Sequence, residues 1–413
     1  MAEATEIPQS DRDGAKGWTV ALVAMSCLIV GPSSLLVSSF GVLLEPLSVR
    51  YGWSRGEVGL AVTFMAAGIM LCSVLQGALI DRFGSRRVVL TSIPCFSVAL
   101  AGLCLLPSSL PLFYATWFAL PFASVGLWPA SYLRVVSGWF DRKLGLATGV
   151  ANAGIAVSVV LIPPSLAAIA ARVSLNASYL TMAALALVAF PIALLGLREL
   201  PILHSPSVAG PTQSLTYARI IRDPSYRLIA GCFLLLGLTG TGLVANLVPI
   251  LQSKGLSTGQ ALNGLAIFGV MNLLGRLFTG YLLDQMHVSR VYWLLMISTI
   301  VSLIVLVLPA PALAKIAAVG ALGLLAGGEF DILAFSLRRY FGLANFGRMY
   351  GLAFSLFQLG AGIGAALLAL SVDRLKHYDF GLIVLAVSAF ASALLLGRLG
   401  PYPSVAGEID AGR

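Results

Sequence analysis

Gly77–Leu90 reads GALIDRFGSRRVVL, and 203 residues further on Gly280–Leu294 reads GYLLDQMHVSRVYWL. In both copies a glycine stands four positions before an aspartate, in a short charged gap between apolar runs. GLATGVANAGIAVS from Gly145 is echoed by GLAFSLFQLGAGIG from Gly351, an offset of 206. Repeats of this length, in the same order, mean that the chain is two similar halves in the same orientation.

What lies between the gaps is apolar enough for lipid. The 413 residues are 58% hydrophobic and 10% charged, with a mean hydropathy of +0.94. Twelve stretches are long enough to cross a bilayer: 18–44, 56–80, 88–106, 110–136, 145–171, 177–197, 226–251, 259–284, 290–310, 311–338, 347–372 and 379–398. A hydrocarbon core of about 30 Å needs about 20 helical residues, whereas barrel strands would alternate over about ten. The expected fold is an all-α membrane protein of twelve transmembrane helices in two pseudo-symmetric six-helix halves. Its expected parts are a tail (1–17), an N-terminal bundle (18–197), a Pro/Ser-rich linker (198–225), a C-terminal bundle (226–398) and a tail (399–413). The first 17 residues lack the basic start and small-residue cleavage site of a signal peptide, so the first span reads as an uncleaved anchor.

The net charge of +9 does not point to nucleic acid, because the basic residues are scattered through short loops. With the N-terminus inside, eighteen of the 26 Lys and Arg fall on the cytoplasmic side and seven outside. The positive-inside rule therefore places both termini in the cytoplasm of a multi-pass protein of the cell's inner membrane. One basic residue, Arg276, falls within a span, where it costs at least about 2.5–3.5 kcal/mol and must face a partner. The five cysteines fall in apolar stretches without metal or disulfide spacing, and the three histidines are far apart, so neither a metal nor a cofactor is expected. Nothing in the sequence points to ATP coupling, since no G-x-x-x-x-G-K-[ST] occurs. A channel is disfavoured for want of a filter-like loop.

Polar groups at membrane depth are the candidates for function. Arg276 can hold a carboxylate through its planar fork, and Asn272, one turn earlier, shares its face. Glu329 and Asp331 are the two carboxylates inside a span and are the candidate proton carriers. At about 200° apart around the helix, they cannot both face one cavity. One is expected to line the pathway, Glu329 being the first choice, while the other pairs with Arg134 or Arg338. Asn152, Asn246, Gln358, Ser34 and Ser38 are further candidate substrate contacts. Trp128 and Tyr132, four apart, are expected to share a helix face as an aromatic wall. Glycines 327, 328, 360, 362 and 364 read as points of close helix approach.

The loop Gly77–Arg87 resembles the signature G-x-L-x-D-R-x-G-R-[KR] of the major facilitator superfamily, through Gly77, Asp81, Arg82, Gly84 and Arg86. In the second copy Asp284 is kept, but Gln285 replaces the arginine and His287 the glycine, which implies a weaker latch. Within that superfamily the chain is most similar to the monocarboxylate transporters and oxalate/formate antiporters. The likeness rests on FGVLLEPLSVRYGWSRGEVGLA (Phe40–Ala61), on ANAGIAVSVVLIPP (Ala151–Pro164) and on Arg276. Arg276 stands where those families place an arginine that contacts substrate carboxylate. The aspartate of the monocarboxylate family one turn before it is replaced by Asn272, and their first-helix lysine is absent from GPSSLLVSS (Gly31–Ser39).

The resemblance implies a transporter, not an enzyme, acting as a monomer in the bilayer on a small organic anion. Transport is expected by alternating access, coupled to protons or by exchange. The alternative is a proton-coupled exporter of drug-like or hydrophobic compounds, with an acid at its centre and Arg276 structural. A non-transporting membrane sensor is disfavoured because no signalling domain is present.

Overall fold

The computed structural model describes residues 13–200 and 216–403 and, within these, leaves the side chains of residues 241 and 245 undescribed. Most of both expected tails and the middle of the linker lie outside the described residues, with Arg12, His204 and Arg413. Among the described residues every regular element is helical.

Six spans form each half. The first runs Ala15–Tyr51, the second Arg55–Phe83 and the third Ser85–Leu105. The fourth is broken, as Leu110–Ala123 and Pro129–Trp139, and the fifth and sixth are Leu144–Arg172 and Leu175–Gly196. A short linker helix, Tyr217–Arg222, precedes the seventh span, which is Pro224–Ala245 continued by Leu247–Ser253. The eighth to twelfth are Thr258–Gln285, Val288–Val307, Ala312–Phe341, Phe346–Leu375 and Asp379–Gly397. Eleven of the twelve contain a helix long and apolar enough to cross a membrane unaided. The broken fourth does not.

Local chemistry sets the ends. Ser54 and Glu57 close a capping box at the start of the second span, and Ser257 and Gln260 do the same for the eighth, at the repeat offset of 203. Pro129 accounts for the break in the fourth span, since it holds Trp128 extended and donates no backbone N–H. The first span is interrupted by a π-helical segment, Ser33–Ser38, just after Pro32. The spans are not amphipathic in the ordinary sense. Large apolar side chains such as Val160, Leu195 and Leu313 are largely exposed on the outer surface, which suits a protein solvated by lipid.

The halves meet chiefly along two seams, the second span against the eleventh and the fifth against the eighth. Glycine makes the approach possible. A Cβ on Gly77 would lie 2.2 Å from the Gly347 carbonyl oxygen, and one on Gly145 2.2 Å from that of Gly280. Both pairs lie near the face that carries the described ends of the chain. Among the described residues, the first and seventh spans are not helices that pack against each other across the halves. The closest contacts between the halves are therefore gathered at the face bearing the termini.

Candidate functional site

About two helical turns above that face, the eighth span carries Arg276 against the fifth. Its backbone carbonyl would be 2.6 Å from a Cβ on Gly149. The Arg276 side chain is 4% exposed, and its Nε and Nη1 have no hydrogen-bond partner. Among the described residues no carboxylate oxygen lies within ion-pair distance of it. Asp331 exerts the strongest attraction on the guanidinium, followed by Glu329. The cation is neutralised at a distance, and its fork is left unspent.

The two acids of the tenth span differ in their surroundings. Asp331 is fully buried and accepts a 2.6 Å hydrogen bond at Oδ1 from Asn152 Nδ2, a residue of the opposite half. Its Oδ2 and the Asn152 Oδ1 are buried without partners. The expected partners of Asp331 are otherwise engaged. Arg134 holds Glu199 at 2.5 Å and Asp81 at 3.8 Å, and Arg338 Nε donates to the Ser137 carbonyl. Glu329 is only half-buried, makes no hydrogen bond among the described residues and extends towards the seventh span, where a Cβ on Gly240 would be 3.6 Å from its Oε2. Tyr350 of the eleventh span completes the cluster. Its hydroxyl is buried without a partner, in the fields of Asp331, Arg276 and Glu329.

The other expected contacts are dispersed. Asn272 and Gln358 are half-buried. A Cβ on Gly327 would strike the backbone carbonyl of Asn272 at 2.1 Å, so the tenth span packs directly on this turn of the eighth. Ser34 Oγ is 2.5 Å from Ser158 Oγ of the fifth span, whereas Ser38 donates to the Ser33 carbonyl and Asn246 to that of Gly242. The last two are spent on the backbone at irregular turns of the first and seventh spans. Trp128 and Tyr132 do not share a face of one helix, because the chain is extended at Trp128 and the helix starts after it. Both are buried. Trp128 offers an unpartnered indole N–H, and Tyr132 lies against Cys27. Gly362 faces open space, unlike the other four glycines.

The repeated loops form the seal. Asp81 accepts from the backbone N–H groups of Gly347 and Arg348, at 2.8 and 2.9 Å, at the start of the eleventh span. Asp284 does the same for Gly145 and Leu146, at 2.7 and 2.9 Å, at the start of the fifth. Each carboxylate thus occupies the N-terminus of a helix in the opposite half, where unpaired N–H groups and the helix dipole favour an anion. The second latch, expected to be weaker, has the same two bonds. The pairing also resets the repeat register between the fifth and eleventh spans. Gly145 matches Gly347 and Gly149 matches Gly351, an offset of 202 and not 206.

The residues that depart from the signature have local substitutes. Gly84 has φ of 82°, a conformation that favours glycine, and beside it Glu199 accepts from the backbone N–H of Ser85 and Arg86. His287, at the matching place, has φ of −62°, so no glycine is needed, and its own Nδ1 accepts from Ser289 N–H. Arg82 lies over the Phe83 ring, and Arg86 donates to the Leu194 carbonyl. Glu199 and Tyr350 were not found from the sequence. Glu199 acts on residues 65 to 114 positions away and has no local signal. Tyr350 has one, since it shares a helix face with Phe354 and Gln358 at spacings of four.

Comparison with known proteins agrees with this architecture. Residues 26–367 match the model of the Major Facilitator Superfamily. The chain is 28% identical over 433 residues to monocarboxylate transporter 11 of Mus musculus, covering 97% of this chain and 91% of that protein. It is 26% identical over 351 residues to the oxalate:formate antiporter of Oxalobacter formigenes, covering 77% and 81%. The fold is similar to the crystal structure of the transporter FucP in its outward conformation, with a TM-score of 0.70 at 15% identity over 91% of this chain and 97% of that one. With two repeated six-helix halves, a doubled aspartate latch and a family match over most of its length, the chain belongs to the major facilitator superfamily.

Proposed function

We propose that the protein is a secondary active transporter that moves a small organic anion, most simply a monocarboxylate, across the cell's inner membrane by alternating access. The terminus-bearing face is read as cytoplasmic, from the distribution of Lys and Arg, so the latched side of the molecule is the cytoplasmic one.

One observation carries the reading. Arg276 is buried between the halves with two nitrogens that no protein group accepts from, and unpaired buried donors cost about 1–3 kcal/mol unless something binds them. A carboxylate matches that fork. Two of the relatives above are named for carboxylate transport, which agrees with this choice. Charge balance then favours proton coupling. A site holding one arginine and two ionised acids carries a net charge of −1, which repels an anion; a proton taken up at Glu329, the half-buried acid, brings it to zero and so accompanies substrate.

The test is a thermal-shift series on purified protein with formate, acetate, lactate and oxalate. At least one should stabilise the wild type, since ligand binding to the folded state raises its stability. Arg276→Ala should lose about 2–5 kcal/mol of binding, and Arg276→Lys an intermediate amount. A response to hydrophobic cations alone would overturn this reading in favour of a drug exporter.

A further inference from the structure

The Asn152–Asp331 hydrogen bond joins the two halves at the depth of Arg276, and both side chains are fully buried. Among the described residues, the other side-chain hydrogen bonds between the two bundles lie nearer the sealed face: Asp81 and Asp284 on helix N-termini, Arg338 on the Ser137 carbonyl and Arg339 on the Asp141 carbonyl, while Tyr217 of the linker helix donates to the Val74 carbonyl of the second span. The Asn152–Asp331 bond is therefore the last one between the substrate site and the seal. Opening towards the termini must break it, because the fifth and tenth spans belong to halves that separate.

The groups facing Asp331 come from four elements: Asn152 on the fifth span, Arg276 on the eighth, Glu329 on its own helix and Tyr350 on the eleventh. Of these, Asn152 alone makes a hydrogen bond to it. An amide N–H bound to a carboxylate is roughly twice as strong as one bound to a neutral acceptor. When Asp331 is protonated, the amide can still turn to accept its O–H, but the extra strength due to the charge is gone.

We infer that Asn152 is a positioning residue that reads the charge on Asp331, holding the terminus-bearing side shut while the carboxylate is ionised and releasing it when the carboxylate is neutralised. An anion bound at Arg276 adds negative charge beside Asp331 and so favours its neutralisation. Anion and proton together, the proton entering at Glu329 and passing to Asp331, thus weaken the contact that blocks passage, whereas the empty, ionised carrier stays closed. This last step rests on the function proposed above. The charge-dependent contact itself does not.

Hydrogen exchange of the full-length protein in lipid nanodiscs separates the two. Peptides covering residues 144–150 and 346–352, the helix starts held by the aspartate latches, report opening of the seal. Exchange through such openings follows the open population. After correction for the intrinsic pH dependence of exchange, the substrate-free wild type should exchange faster at pH 5.5 than at pH 7.5. Asn152→Ala should exchange about tenfold faster at pH 7.5, the size expected for losing a hydrogen bond to a charged group. Asp331→Asn, which keeps the shape without the charge, should be fast at both pH values, and adding Asn152→Ala to it should change little. Wild-type exchange with intact pH dependence in Asn152→Ala, in Asp331→Asn, or in both, overturns the inference. A pH effect in the wild type that formate or acetate does not alter leaves the contact standing and counts against the anion reading.

Discussion

The two aspartates of the seal and the central cluster lie within about two turns of each other and treat polar groups in opposite ways. At the seal each carboxylate oxygen of Asp81 and Asp284 meets a backbone N–H of the other half. In the cluster, Arg276, Asp331, Asn152 and Tyr350 each keep a buried polar atom with no partner. Buried polar groups are normally satisfied, and exceptions require a reason. On the function proposed above, the difference separates holding from binding: a contact that fixes one state of the molecule is complete in that state, whereas a contact meant for a ligand is left unmade.

The largest expected effect tests the unspent side. Glu329→Gln keeps the shape but cannot release a proton, so uptake driven by an imposed pH gradient in proteoliposomes should be lost while counterflow exchange survives. Undiminished gradient-driven uptake in this variant, in Asp331→Asn and in the double variant would make plain anion exchange the better account.

A steric change breaks the complete side. Gly145→Leu would push its Cβ into the Gly280 carbonyl oxygen, 2.2 Å away, and overpacking of this kind costs about 1–3 kcal/mol. Counterflow should fall severely while size-exclusion chromatography still shows a single folded species. Wild-type counterflow would mean that the close approach is not needed.

A milder pair of variants asks whether the two latches are equal. Asp81→Asn and Asp284→Asn each exchange one charge-assisted acceptor for an amide, at about 1–2 kcal/mol. Their melting temperatures should fall by similar amounts, with Asp81→Asn slightly worse because Arg134 also faces it. A drop confined to Asp81→Asn would restore the weaker second latch that its altered sequence implied.

The smallest effect concerns His287, in the loop beside the second latch. Its Nδ1 accepts from Ser289 N–H, its Nε2 meets Tyr340 Oη at 3.2 Å, and its ring packs on Tyr402. Burial holds the imidazole below its ordinary pKa, with the neighbouring Arg290 adding to the shift and the Gly400 carbonyl opposing it. The neutral ring is therefore the form that fits. Its contribution to stability is complete above the ordinary histidine value of about 6.5 and is lost as pH falls through the lowered one. Thermal unfolding should show a slight destabilisation below pH 6 that His287→Asn lacks. Identical pH profiles would show that the proton is accommodated elsewhere.

Much of this architecture is determined by the sequence, because lipid imposes a simple rule: twelve long apolar runs must be helices, and a duplicated loop must mean duplicated halves. The depth of Arg276, Glu329 and Asp331 follows from counting residues along a helix. What the sequence leaves open is which of these groups meet. Asp331 finds Asn152, 179 positions away, where the local pattern suggested Arg134 or Arg338, because the partner is set by how two separate bundles lie against each other. The shared face of Trp128 and Tyr132 disappears for a related reason: periodicity assumes an unbroken helix, and Pro129 breaks it. The second latch looks degraded in sequence yet is complete in structure, since its bonds run to backbone N–H groups, which every residue but proline supplies. Sequence thus decides which polar groups must enter the membrane, and tertiary structure decides which are spent on the protein and which remain available.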